Sequence, residues 1–246
     1  MRAAGPSISA PPFPRGLPWV NVAGLRMDQQ RGKVVLVEFW DFCRVNSLRT
    51  LPYLREWHAR YAEHGLRIVG VHTGGFEPSR DDEAVRRAVE RLRIPWAVAI
   101  DTQLQVWDIY GNQGWPARYL WDTSLTLHSM HYGEGAYAET EREIQSLVGV
   151  SREPVAPLRP EDDPDALVAA QTADVAGPYS GPYEAGGVWA VVSGTGRLTV
   201  NGRAVDVTEP GCIPLVEHAR HTAGWLSLQI GPGVVVHATC FTPGVA

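Results

Sequence analysis

The sequence predicts two folds in one chain: an α/β domain built on a mixed sheet over residues 17–150, and a small sandwich-like all-β domain over residues 185–246. Three observations carry that division. Up to about residue 150, short apolar runs alternate with longer amphipathic stretches, the pattern of strands exchanged with helices. Residues 151–164 read SREPVAPLRPEDDP, a proline-rich, charged composition that suits a linker, which is extended here to residue 184. Beyond about residue 185 the chain becomes short β-branched runs punctuated by glycine. Residues 1–16, with prolines at 11, 12 and 14, predict an extended, poorly ordered leader.

Each element follows from local pattern. Val34–Trp40 (VVLVEFW) is a buried strand by its β-branched and aromatic content. From Arg44 to about Glu63 the chain is helical, with Leu48, Leu51, Leu54 and Tyr61 at apolar positions and Pro52 expected to kink it. Leu66–His72 is a second strand. Ser79 is the expected cap of a helix running to about Leu92, with Asp81, Asp82 and Glu83 suiting the dipole of its first turn. Trp96–Ile100 is a strand, Leu104–Tyr110 a short helix, and Ala117–Trp121 and Leu125–Tyr132 two strands joined by a turn of hairpin length. A helix over Tyr137–Val148 completes the domain. In the second region Val188–Val192, Arg197–Val200, Ala204–Val207, Ile213–Val216, Trp225–Ile230 and Val234–Phe241 read as strands. Asn201-Gly202 is a type I′ hairpin signal.

Composition bounds the function. Hydrophobic residues make up 44% and charged residues 20%, an ordinary balance for a chain with a sizeable core. The net charge of -5 gives no general attraction to nucleic acid or anionic lipid, so neither is an expected partner. No N-terminal run is apolar enough for a signal peptide or a span, which places the expected location in the cytoplasm. The three cysteines, Cys43, Cys212 and Cys240, form no CxxC and no zinc-like pair of pairs, and reduced thiols are the expectation. His128 and His131 lie three apart in a strand and point to opposite faces. His218, His221 and His237 lack a metal-binding pattern, so no metal or cofactor is expected.

The segment VVLVEFW, the run LRTLPYLREWHARY, LRIVGVHT, the stretch around LQVWDIYGNQGWPARYLWD and HYGEGAYAETEREIQSLV together resemble the thioredoxin-like domain of the TlpA/ResA/DipZ type. The resemblance covers roughly residues 17–150. The C-terminal stretch is similar, more loosely, to a shortened form of the β-domain that follows in DipZ-like chains. In that family a CxxC follows the first strand, with its second cysteine immediately before the run that begins here at Leu48. Those two positions hold Arg44 and Ser47, and Cys43 falls one residue before the family's nucleophile.

That substitution removes the family's chemistry. Dithiol exchange needs a thiol at a helix N-terminus, where its pKa is lowered, and a second thiol to resolve the mixed disulfide. Other family features persist: Glu38 matches the buried acid beneath the redox pair, and Pro116 of Trp115-Pro116 matches the cis-proline facing the loop. His72 ends a strand on the carboxyl side of the sheet, where α/β folds place their sites. The candidate catalytic residues are therefore Glu38, Cys43, Arg44 and Ser47, with Asn46, His72, Trp115 and Pro116 as candidate ligand contacts. Three functions fit: a repurposed protein that binds or transforms a small organic molecule, a single-thiol protein acting through Cys43, and a non-catalytic partner-binding protein.

Overall fold

The computed structural model of the chain describes residues 7–246 and divides into two compact units. The first comprises the described residues up to Asp41, together with Asn46–Thr73 and Val85–Ala156. The second comprises Phe42–Val45, Gly74–Ala84 and Pro157–Ala246.

In chain order the first part of the sequence forms β1 (Trp19–Val20), β2 (Val34–Trp40), α1 (Val45–Tyr61), β3 (Leu66–His72), α2 (Asp82–Arg91), β4 (Ala97–Ile100), α3 (Gln105–Tyr110), β5 (Ala117–Trp121), β6 (Leu127–Tyr132) and α4 (Tyr137–Val148). Six strands make one sheet in the order β1-β4-β3-β2-β5-β6. β2, β3 and β4 run parallel, while β1, β5 and β6 are antiparallel to their neighbours. Every residue of the central strand β2 is buried, which is why it reads as a continuous apolar run. Alternation divides its side chains. Val35, Val37 and Phe39 join Val69, Val71, Ala117, Tyr119 and Val106 of α3 in one core cluster. Glu38 and Trp40, paired with Gly70 and His72 on β3, point to the opposite face. At Gly70 a Cβ would sit 3.0 Å from Trp40 Nε1, tighter than ordinary van der Waals contact, so a side chain there would press on the indole.

Glu141 on α4 fastens that opposite face. Its buried carboxylate accepts from Trp57 Nε1 (3.2 Å) and Tyr61 OH (2.6 Å) of α1, from Arg60 Nη1 (3.2 Å), and from the Val155 N–H (2.7 Å). One side chain thus ties α1, α4 and the segment leaving the domain.

Two local expectations change. Residues 7–16 are not a loose leader: Ala10 N–H donates to Leu125 O at 2.8 Å, and Phe13 is buried edge-on against Trp19 at 5.2 Å. One apolar ring among the prolines suffices to anchor the strand-like run; residues 1–6 lie outside the described residues. The second helix begins at Asp82, capped by the Asp81 carboxylate, which accepts the Ala84 N–H at 2.7 Å. Ser79 instead closes a 3₁₀ turn, its Oγ accepting the Phe76 N–H at 3.2 Å. Two good caps two residues apart made the sequence ambiguous. α1 runs through Pro52 as one continuous helix.

The remaining strands are β7 (Val168–Ala169), β8 (Val175–Ala176), β9 (Gly181–Gly194), β10 (Gly196–Val200), β11 (Arg203–Val207), β12 (Gly211–Leu226), β13 (Leu228–Ile230), β14 (Val234–Thr242) and β15 (Gly244–Val245). They form the sheets β12-β9-β14-β8 and β11-β10-β13 and the pair β15-β7. A core of Val188, Ala190, Val192, Leu198, Val200, Val207, Leu226 and Phe241 holds the two larger sheets together. Asn201 and Gly202, at φ 50° and 80°, make the hairpin turn between β10 and β11. β7 and β8 fall in the stretch that composition assigns to a linker. Ile213–Val216 and the start of the expected Trp225–Ile230 strand belong to one long strand, β12, whose pairing with β9 shifts register between Glu217 and Thr222. His218 and His221 therefore lie on a bulged strand and not in a turn, since the run EHARHT over residues 217–222 carries no glycine or proline to end the ladder.

Candidate functional site

Of the candidate residues, Glu38, Asn46, Ser47, His72, Trp115 and Pro116 belong to the first unit, and Cys43 and Arg44 to the second.

In the first unit the carboxyl ends of β2 and β3 set the arrangement. Asp41 follows β2 and Thr73 follows β3; the Thr73 N–H donates to Trp40 O at 3.1 Å, extending the ladder by one residue. Ser47, buried in the first turn of α1, accepts the Asp41 N–H on its Oγ at 3.2 Å. Asn46 beside it is exposed, and its carbonyl accepts the Thr50 hydroxyl at 3.0 Å. His72 and Asp41 are both fully buried, with Nε2 3.7 Å from Oδ1. Burial pulls the imidazole down to about 3, so near neutral pH this is a contact between a carboxyl group and an uncharged ring. The ring also packs edge-on against Trp40 at 4.9 Å.

Glu38 lies on the same face of β2, opposite Arg118 of β5. Its carboxyl is pushed up to about 7 by burial, which the nearby Arg118 charge only partly offsets. Arg118 is itself buried and spends its terminal nitrogens on Thr140 Oγ1 (3.2 Å) and on the carbonyls of Gly133 and Gly135. Its guanidinium lies over the rings of Trp57 and Tyr137.

Trp115 and Pro116, joined by a cis bond, form the end of the turn that leads into β5. Trp115 is half-buried. Its indole N–H donates to Thr73 Oγ1 at 2.7 Å, and its ring lies 4.4 Å from that of Trp107. The turn is held from behind: Asn112 Nδ2 donates to Gly114 O at 3.1 Å, and the Tyr119 hydroxyl donates to Asn112 Oδ1 at 3.1 Å. Asp101 fixes Trp107 by accepting its backbone N–H at 2.9 Å. Asp41, Thr73, Trp107, Asp101 and Arg118 were not among the sequence candidates. Asp41, Thr73 and Asp101 carry a usable signal, since each is a polar residue directly after a buried parallel strand. Arg118 carries one too, as a charge inside an apolar strand run.

In the second unit Cys43 is fully buried and Arg44 half-buried. The Arg44 guanidinium lies 4.8 Å over the Phe76 ring. Its charge also acts on Cys240, whose thiol burial and the adjacent Asp174 carboxylate push up to about 12. The loop backbone takes a hydrogen bond from the strand region, Cys212 N–H to Phe42 O at 3.3 Å.

No family model matches the chain. Protein DipZ of Mycobacterium tuberculosis is 30% identical over 163 residues, which are 63% of this chain and 24% of that one; the chain thus spans about a quarter of this relative. The thiol-disulfide oxidoreductase ResA of Geobacillus kaustophilus is 28% identical over 122 residues, covering 50% of this chain and 67% of that one. Among solved structures, a thiol:disulfide interchange protein DsbE from Chlorobium tepidum superposes with a TM-score of 0.52 at 21% identity, over 60% of this chain and all of the other. A thiol-disulfide isomerase from Corynebacterium glutamicum superposes with a TM-score of 0.51 at 22% identity, over 58% and 98%. Among the described residues no helix is long and apolar enough to cross a membrane. With this strand order, and with these relatives in sequence and fold, the chain carries a thioredoxin-like domain of the TlpA/ResA/DipZ type.

Proposed function

We propose that the thioredoxin-like domain of this chain is a binding module that holds a small organic molecule against Trp115 and does not catalyse dithiol exchange on substrates. One observation carries the reading: Trp115 is half-buried, pinned by its indole N–H to Thr73 and packed at a tilt against Trp107, which gives a preformed aromatic wall. A side chain already fixed in place costs little ordering entropy when a ligand meets it. Two further features support the absence of catalytic thiol chemistry. The sequence resemblance sets Arg44 and Ser47 at the family's cysteine positions, and neither side chain can form a mixed disulfide. The one cysteine of the loop, Cys43, is fully buried. Glu38 keeps a carboxyl that titrates near neutrality and is the candidate acid–base group should the bound molecule also be transformed.

The test is a titration with a panel of small aromatic carboxylates and amides, followed by the indole N–H resonance of Trp115 and the Thr73 amide. A saturable shift of both signals, lost in Trp115→Ala, is the expected result. A panel in which no member gives a saturable shift, or in which Trp115→Ala binds as wild type does, contradicts the reading.

A further inference from the structure

All three cysteines of the chain are thiols, all three are buried, and all three belong to the second unit. The sheet brings two of them, Cys212 and Cys240, to one face. Cys212 on β12 pairs with Val191 of β9, and Cys240 on β14 pairs with Trp189 of β9. Residues 189 and 191 lie two apart, so the two cysteines share a face with them. That face is turned away from the sandwich core, which takes the alternate residues Val188, Ala190 and Val192.

The Phe42–Val45 segment runs beside β12, the edge strand of this sheet. At one end the Cys212 N–H donates to Phe42 O at 3.3 Å. At the other the Arg44 charge acts on the Cys240 thiol. In the chain Cys43 falls between the two residues that make these contacts. A hydrogen bond from the amide of residue 212 to the carbonyl preceding residue 43, with standard bond lengths, puts the Cα atoms of Cys43 and Cys212 roughly 5–7 Å apart, against the usual disulfide window of about 4.4–6.8 Å.

We propose that Cys43 and Cys212 are an oxidisable pair, and that a low-molecular-weight disulfide converts them to an intramolecular bond tying the Phe42–Val45 segment to the start of β12. Cys212 keeps slight solvent access where Cys43 has none, which assigns the order of events. The Cys212 thiolate attacks one sulfur of the small disulfide RSSR, forming a mixed disulfide and releasing one RSH. The Cys43 thiolate then attacks the Cys212 sulfur and expels the second RSH. Two protein thiols are oxidised and one RSSR is reduced to two RSH, with the protons of the protein thiols ending on the released thiols. Both thiols are buried and poorly accessible to the small disulfide, so the conversion is slow, on the minutes-to-hours scale of uncatalysed thiol exchange. Cys240 stays out of the exchange, since its thiol is held protonated beside Asp174.

The experiment is incubation of the full chain with oxidised glutathione, alkylation of remaining thiols under unfolding conditions, and peptide mapping without reduction. The expected product is a crosslinked pair of peptides carrying Cys43 and Cys212, with Cys240 alkylated and the melting temperature raised. Cys240→Ala should give the same crosslink, and Cys212→Ala should leave Cys43 as an alkylatable thiol with no rise in melting temperature. A Cys43–Cys240 crosslink, a persistent glutathione adduct on Cys212 that never resolves, or three intact thiols after prolonged oxidation would each overturn the proposal. The wild-type map decides the matter even if a variant fails to fold.

Discussion

Glu38 and Arg118 face each other across β2 and β5, with Arg118 Nε 4.0 Å from Glu38 Oε2, and neither carboxyl oxygen of Glu38 has a hydrogen-bond partner among the described residues. The guanidinium offers charge but directs its hydrogen bonds to Thr140 and the β6–α4 turn. A buried carboxylate with one charged neighbour and no donors is poorly solvated, and the proton is retained toward neutrality.

This gives a pH dependence that His72 opposes. Glu38 rises from 4.5 to about 7 on folding, so its contribution to stability is complete below pH 4.5 and is lost as the pH climbs through about 7. His72 falls from 6.5 to about 3, so its contribution is present above pH 6.5 and is lost as the pH drops toward 3. Between pH 4.5 and 6.5 the two slopes, each about 1.4 kcal/mol per pH unit, cancel. Denaturant unfolding across that window should show Glu38→Gln gaining stability with rising pH and His72→Gln losing it, where wild type is nearly flat. Identical pH slopes in all three proteins would refute the assignment.

Removal of Glu141 should be the most damaging single change in the first unit. Glu141→Ala leaves the Trp57 indole, the Tyr61 hydroxyl and the Val155 amide without their acceptor, each buried orphan costing about 1–3 kcal/mol. Urea unfolding should register a loss on the order of 3–5 kcal/mol. Glu141→Gln, which keeps an acceptor oxygen, should lose clearly less. A loss under about 1 kcal/mol for alanine would mean that α1 and α4 are held by packing alone.

Thr73→Val removes the acceptor of the Trp115 indole while keeping volume. One neutral hydrogen bond is worth about 1 kcal/mol, so affinity for any aromatic probe that shifts Trp115 should fall roughly fivefold. Unchanged affinity, with Trp115→Ala still abolishing binding, would show that the wall needs no pin.

Arg44→Ala tests what the side chain directly before α1 does. The half-buried stack on Phe76 predicts a stability loss of about 0.5–2 kcal/mol. Differential scanning calorimetry should see it as a lowered transition. A neutral or stabilising effect would remove Arg44 from the list of structural ties.

The fold was legible because the strands of the first domain are dictated by burial. Val34–Trp40, Leu66–His72, Ala117–Trp121 and the helix Tyr137–Val148 have the same limits in sequence and structure. Asn201-Gly202 marked its hairpin for a local reason, two residues that tolerate positive φ. Non-local pairing was the blind spot. β1 exists through its partner β4, residues 8–10 through Leu125–Leu127, and β12 keeps its ladder across a bulge that no short-range pattern announces. The site was legible where a residue breaks a local rule, as Glu38 does inside an apolar strand. Thr73 was missed because its role is to accept from Trp115, forty-two residues away.

The proposed absence of catalytic dithiol exchange is read out by the rate of insulin disulfide reduction in the presence of dithiothreitol. The expected rate equals that of dithiothreitol alone and is unchanged by Cys43→Ser. Catalysed reduction that disappears in Cys43→Ser would contradict it and would return the domain to thiol chemistry with a single cysteine.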